Sequence, residues 1–294
     1  MNNRSISNAA TLVSVFLFYA VPALSGQAGC EIPFRSHGHL IVVEATIGSK
    51  NVLRFMIDTA ATHTVVDRKT IKTLGLQPVF GESEITALGQ ISRTRQFHLP
   101  KIQIGPVYSM LQLHCAEADL SGLGVDGIIG VDLLRQQTWL ASRDTNEVIK
   151  SGSFTIDFKT RKLYFGLRQQ LEHTVPIETS YPEIIVVAMM QGHPLRLAVD
   201  TGSYTIVLYK ESQMGWLETR MMLPGATYQV LGRMGSGKQV ILPDMELGNA
   251  RWTNPSGILL DLPNQAKDGL LSPRQLGMQI VHFDFERNLM SWNK

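Results

Sequence analysis

The feature that most constrains this chain is that it is written twice. Phe55–Thr62 reads FMIDTAAT and Leu197–Tyr204 reads LAVDTGSY, so an apolar run delivers a carboxylate, Asp58 or Asp200, into a turn of small residues. The two aspartates are 200 − 58 = 142 residues apart, and Asp126 of DGIIG and Asp268 of DGLLS are also 268 − 126 = 142 apart. Between these landmarks ALGQISRTRQFHLPKIQIG aligns without a gap on VLGRMGSGKQVILPDMELG. The closing FTIDFKTRKLYFG is echoed by VHFDFERNLMSWN at 284 − 157 = 127, because LASRDTNEVIKSG is extra in the first copy. Four landmarks in the same order establish a duplicated unit of about 130 residues, an ordinary domain size.

Each copy is a series of short β-rich runs. His39–Ile47 and Val52–Ile57 read as a hairpin turned at Gly48–Asn51, with Asp58 at its end. Asp67 is an N-cap for a short helix ending at Leu74, with Gly75 as its stop. A second hairpin bends near Leu88-Gly89-Gln90, and its counterpart bends near Leu231-Gly232-Arg233. FTIDFKTRKLYF is a third, turned at Lys159-Thr160-Arg161. Hydrophobic content of 44% supplies a core for two mostly-β lobes with a few helices of one or two turns. The expected division is 1–28 as a leader, 29–168 as the first lobe and 169–294 as the second, the join being polar QQLEHTVPIETSY.

The leader assignment comes from one charge at Arg4, the apolar run TLVSVFLFYAVPAL and then Gly26-Gln27-Ala28, the layout of a cleavable export signal. About 14 apolar residues broken by Pro22 fall short of the roughly 20 a spanning helix needs. The expected location is therefore periplasmic or secreted, with lipid attachment at Cys30 as the alternative and no membrane contact after cleavage. Export brings an oxidising compartment, and the two cysteines, Cys30 and Cys115, allow one disulfide. The formal charge of +2, with no basic run, gives no reason to expect a nucleic-acid partner.

These residues resemble the pepsin and retropepsin group of aspartic peptidases. The marks are Asp58-Thr59-Ala60-Ala61 with Ile128-Ile129-Gly130, and Asp200-Thr201-Gly202-Ser203 with Leu270-Leu271-Ser272. The closing hairpin is similar to the final strands of bacterial retropepsin-like proteins. The resemblance implies a mostly-β fold of two homologous acid-protease β-barrel lobes, related by a pseudo-twofold axis with a cleft between them. It implies Asp58 and Asp200 as a catalytic pair, with Thr59, Ala60, Thr201 and Gly202 supporting their turns. Leu88, Gly89, Gln90, Leu231, Gly232 and Arg233 would be flap tips closing on an extended peptide or protein substrate. The implied activity is endopeptidase action by a single-chain monomer with no cofactor and no metal. The alternative is a non-catalytic relative that binds peptides or inhibits another protein, motivated by Ala60 and Ser272 standing where the family has glycine: a positive φ at the third position would strain Ala60, whereas Ser272 before Pro273 reads as the N-cap of a short helix.

Two further sequence features point to no additional site. GRMGSGK at 232–238 comes near a phosphate-binding loop, but Gln239 replaces the Ser/Thr and a strand-like QVILPDMEL follows, so no nucleotide is expected. His63 lies near Asp58 without any nucleophile elbow, and the histidines show no paired metal spacing.

Overall fold

The structure, a computed structural model, describes residues 30–48, 52–87, 90–105, 107–109, 113–135, 138–140, 148–150, 152–166, 169, 171–180, 182–209, 215–217, 221–230, 233–262 and 266–294. The presumed leader lies outside these residues. Among the described residues no helix is long and apolar enough to cross a membrane.

The described residues are mostly β, in three sheets. A twelve-stranded sheet gathers strands from Arg35–His37 to Val148–Lys150, and a nine-stranded sheet gathers those from Ile185–Met190 to Gly269–Leu271. Their cores are built alike. In the first half Val52–Ile57 runs antiparallel to Leu40–Ile47 and parallel to Gly127–Ile129, with Ile57 opposite Ile129. In the second, His193–Val199 runs antiparallel to Ile185–Met190 and parallel to Gly269–Leu271, with Val199 opposite Leu271. The helix Arg68–Leu74 begins and ends where its sequence says. The Asp67 side chain accepts from the Lys69 amide, and Gly75 is left-handed at φ 62°.

The third sheet joins the halves. Its order is Cys30–Pro33, Lys162–Phe165, Ser153–Asp157, Ile280–Asp284, Leu289–Asn293, His173–Pro176. The two closing hairpins therefore pair with each other at the centre, and the opening strand of each half flanks its own hairpin. The central register sets Thr155 opposite His282, and 282 − 155 = 127 is the spacing of the repeat at this point. Equivalent residues thus face one another, and the pseudo-twofold axis passes between them. Thr155 Oγ1 and His282 Nδ1 share a buried hydrogen bond of 2.8 Å. Phe154 stacks on Phe283 at 5.3 Å between ring centroids, so one hydrophobic core runs through the sheet into both lobes.

Two long hairpins project from the lobes, Pro78–Ala87 with Gln90–Leu99, and Met221–Val230 with Arg233–Ile241. Each carries a register shift near its base, between Pro78 and Glu82 and between Leu223 and Ala226. Gln90 and Arg233 open the return strands, whereas Leu88, Gly89, Leu231 and Gly232 lie outside the described residues. The GRMGSGK segment continues as strand Arg233–Ile241.

Two expectations fail. The short helix after the second DGLLS does not form, and 273–277 are turns. Its first residue, Pro273, follows Ser272, whose hydroxyl is committed elsewhere, as described below. The disulfide is also absent, since both cysteines are free. Cys30 starts an edge strand of the joining sheet opposite Phe165, while Cys115 is walled into the first-lobe sheet opposite Phe97. Burial raises the Cys30 thiol to about 11 and the Cys115 thiol to about 12.

Candidate active site

Asp58 and Asp200 each stand just past a strand that is pinned on its parallel neighbour. The Asp58 amide donates to Ile129 O at 3.1 Å and the Asp200 amide to Leu271 O at 2.8 Å. Below them Asp126 and Asp268 accept from the Arg54 and Arg196 amides, both at 2.7 Å. Each carboxylate is then gripped by its own turn. Asp58 Oδ1 accepts from the Ala60 and Ala61 amides at 2.9 and 3.2 Å, and Asp200 Oδ1 from the Gly202 and Ser203 amides at 2.7 and 2.9 Å.

The threonines lock the two turns together across the axis. Thr59 N donates to Thr201 Oγ1 and Thr201 N to Thr59 Oγ1, both at 3.2 Å. Thr59 Oγ1 donates to Val199 O at 2.6 Å and Thr201 Oγ1 to Ile57 O at 3.0 Å. Both threonines are buried, at 0% and 4% exposure, so every one of these groups needs its partner.

That grip brings the carboxyls side by side. A Cβ on Gly202 would lie 3.2 Å from both Asp200 Oδ1 and Asp58 Oδ2. Asp200 is 8% exposed and Asp58 is only partly exposed. Burial, and then the neighbouring Asp58 charge, raise Asp200 to about 8. Burial also raises Asp58, against the amide bonds from Ala60 and Ala61. Two carboxyls so placed do not ionise independently, and they titrate as a unit.

The two departures from the motif have structural reasons. Ala60 is not among the described non-glycine residues with positive φ, which are Arg161, Gln191, Asn254 and Asn288, and Gly202 is not left-handed either. What the third position demands is space. The Gly202 Cβ would come 3.1 Å from the Met56 methyl of the other lobe. The equivalent of Met56 is Ala198, at 198 − 56 = 142, and Ala60 packs on the second-lobe cluster that contains Ala198. A smaller residue on one side of the axis makes room for a larger one on the other. Ser272 replaces Gly130, and beside it Pro273 replaces Val131. In the first lobe the Val131 amide donates to Ala61 O at 2.8 Å. Pro273 has no amide hydrogen, and Ser272 Oγ donates instead to the equivalent carbonyl, Ser203 O, at 2.7 Å.

One neighbour was not foreseen from the sequence. His39, from the turn before Leu40–Ile47, donates from Nε2 to Gly202 O at 3.0 Å, across 163 residues of chain. Its ring meets Tyr204 edge-on at 5.5 Å, and burial lowers its basicity. The repeat gives no signal for it, because it falls before the aligned segments. The predicted flap residues Gln90 and Arg233 begin the return strands of the two long hairpins. Among the described residues no group of three or more His, Cys, Asp or Glu could hold a metal ion.

Residues 43–133, which contain Asp58 and its downstream turn, match the family model described as aspartyl protease. No curated protein matches the sequence. The fold is similar to the crystal structure of the aspartic proteinase from Irpex lacteus, at 13% identity and a TM-score of 0.54, over 91% of this chain and 97% of that one. The family match thus covers the first repeat, and the fold shared with the aspartic proteinase extends over both repeats.

Proposed function

We propose that the protein is an aspartic endopeptidase whose catalytic pair is Asp58 and Asp200. The observation that carries this reading is the pair itself: two carboxyls side by side across the pseudo-twofold axis, each fixed by two amides of its own turn. Asp200, the more deeply buried, keeps the proton, and Asp58 is the ionised partner. A water between them gives a proton to Asp58 as its oxygen adds to the scissile carbonyl carbon, while Asp200 protonates that carbonyl's oxygen. Collapse of the resulting diol, with proton transfer to the leaving nitrogen, breaks the C–N bond and needs no covalent enzyme intermediate. The projecting hairpins suit an extended peptide that adds its backbone as a strand. The accommodation of Ala60 and Ser272 supports the catalytic reading over the non-catalytic one. The leader-like N-terminus supports export to the periplasm or medium, with action as a monomer.

The test is digestion of unfolded casein from about pH 3 to 7 by the wild type, Asp58→Asn and Asp200→Asn. Cleavage by the wild type alone is expected. Equal cleavage by all three, or by none, would reject the assignment. Export predicts a mature N-terminus at residue 29 in protein recovered from the periplasm or medium, and an intact Met1 would count against it.

A further inference from the structure

The two lobes differ beside the pair in a way that the repeat makes visible. Val42 lies opposite Met56 and Ile185 opposite Ala198. Continuing each register by two residues sets Leu40 abreast of Asp58 and Glu183 abreast of Asp200. Two residues before the next strand begins, Val125 and Lys267 are equivalents, at 267 − 125 = 142. In the first lobe both positions are apolar, and Leu40 and Val125 belong to one buried cluster. In the second they form an ion pair. Lys267 Nζ donates to Glu183 Oε1 at 3.0 Å, with the two side chains only 17% and 20% exposed. The first lobe braces this pair, since Arg135 donates from an Nη to Glu183 O at 3.3 Å.

A largely buried ion pair has to offset the desolvation of both charges, and an apolar pair of similar volume does the packing as well or better. The first lobe demonstrates the apolar solution at the same place in the same fold. An ion pair in its stead, abreast of one of two carboxyls that share a proton, has an electrostatic consequence that Leu40 and Val125 cannot have. We propose that Lys267, held by Glu183, is a positioning residue for charge: its ammonium favours the singly ionised form of the Asp58–Asp200 pair, and Glu183 sets how much of that charge the pair feels. The inference rests on the reading of Asp58 and Asp200 as the catalytic pair. Lys267 acts on both carboxyls in the direction of ionisation. The other charged or titratable groups around the site are already engaged. His39 is on Gly202 O, Arg274 on Gly38 O and Ser36 Oγ, Asp132 on Thr64, and Asp268 on the Arg196 amide. Arg135 stands beyond Glu183, over the Phe285 ring.

The two halves of the ion pair must then have opposite effects. Lys267→Met removes the cation and moves both limbs of the kcat/KM–pH profile upward, by about half to one unit. Glu183→Gln frees the cation from its counter-charge and moves both limbs downward, while Lys267→Arg leaves them in place. Carboxyl 13C titration of Asp58 and Asp200 in the same variants reads the same shifts without turnover. Thermal melts establish that each variant is folded. Limbs and carboxyl titrations that stay put, or move in the same direction in Lys267→Met and Glu183→Gln, overturn the proposal. Cleavage that survives Asp58→Asn rejects the catalytic pair, which is a separate failure.

Discussion

Ser272 and Pro273 offer a test in which damage and repair are both specified. In the first lobe the carbonyl of Ala61 is satisfied by the Val131 amide, and in the second that of Ser203 is satisfied by the Ser272 hydroxyl at 2.7 Å. Ser272 is fully buried, so Ser272→Gly leaves an acceptor on the Asp200 turn without its donor. The cost is about 1–3 kcal/mol for the stranded carbonyl, plus roughly 0.5–1 kcal/mol for glycine's freedom in the unfolded chain. At about 2–4 °C per kcal/mol for a chain of this size, Tm falls by several degrees. Adding Pro273→Val restores an amide hydrogen in the position that works in the first lobe, and recovers the hydrogen-bond part of the loss. Pro273→Val alone, with Ser272 retained, changes little. Thermal melts at one pH and casein turnover read the cycle, and turnover falls in the single variant because Ser203 also donates its amide to Asp200. If Ser272→Gly is as stable as the wild type, or if the double variant is no better than the single, the exchange of donors is not what holds this turn.

The raised Asp200 also sets a stability window. The folded protein holds a proton there that the unfolded chain releases near pH 4, so stability is greatest at low pH and declines as pH rises through about 8. Asp200→Asn should accordingly raise Tm at pH 7 while having little effect at pH 4, and a uniform effect at both would contradict it. His282 works in the opposite sense. Burial lowers its folded basicity, so its contribution is intact above the unfolded value near 6.5 and is lost as pH falls below it. His282→Gln should flatten the acid side of the Tm–pH curve, and an unchanged curve would exclude this residue as the source. With both thiols pushed up to about 11 and about 12, neither cysteine should react with iodoacetamide at pH 7 in the folded protein. Mass spectrometry before and after reduction should show no two-dalton difference.

Much of this architecture was legible because it is either local or repeated. Asp67 and Gly75 bound their helix through contacts within a few residues, and the 142-residue spacing marks Asp58, Asp200, Thr59 and Thr201 as counterparts before any sheet is known. What was not legible depends on the second lobe's position against the first. A family glycine at the position of Ala60 suggests a left-handed backbone, but the real constraint is the Met56 side chain facing Gly202, a contact between residues far apart in sequence. Ser272 suggested a helix cap because its neighbour is proline. The loss of the Pro273 amide is what redirects the hydroxyl, and that matters only once Ser203 O is seen beside it. Counting cysteines cannot say that Cys30 and Cys115 belong to different sheets.

The register of the joining sheet has a consequence for how such a chain can diverge. A homodimer of one repeat would put the same side chain on both sides of its axis, so a residue on the axis could only ever meet itself. Two threonines manage this by reciprocal bonds, as Thr59 and Thr201 still do. Two buried histidines at the place of Thr155 and His282 could not, without one ring giving up its hydrogen bond or both bearing a proton. Covalent fusion lifts that restriction, because each copy can then vary independently. Thr155 facing His282, Met56 facing Gly202, and the ionic Glu183–Lys267 in place of Leu40 and Val125 are freedoms that only a single chain has. The molecule departs from its own symmetry along the axis and beside the carboxyl pair, the places where a symmetric dimer has the least freedom to change.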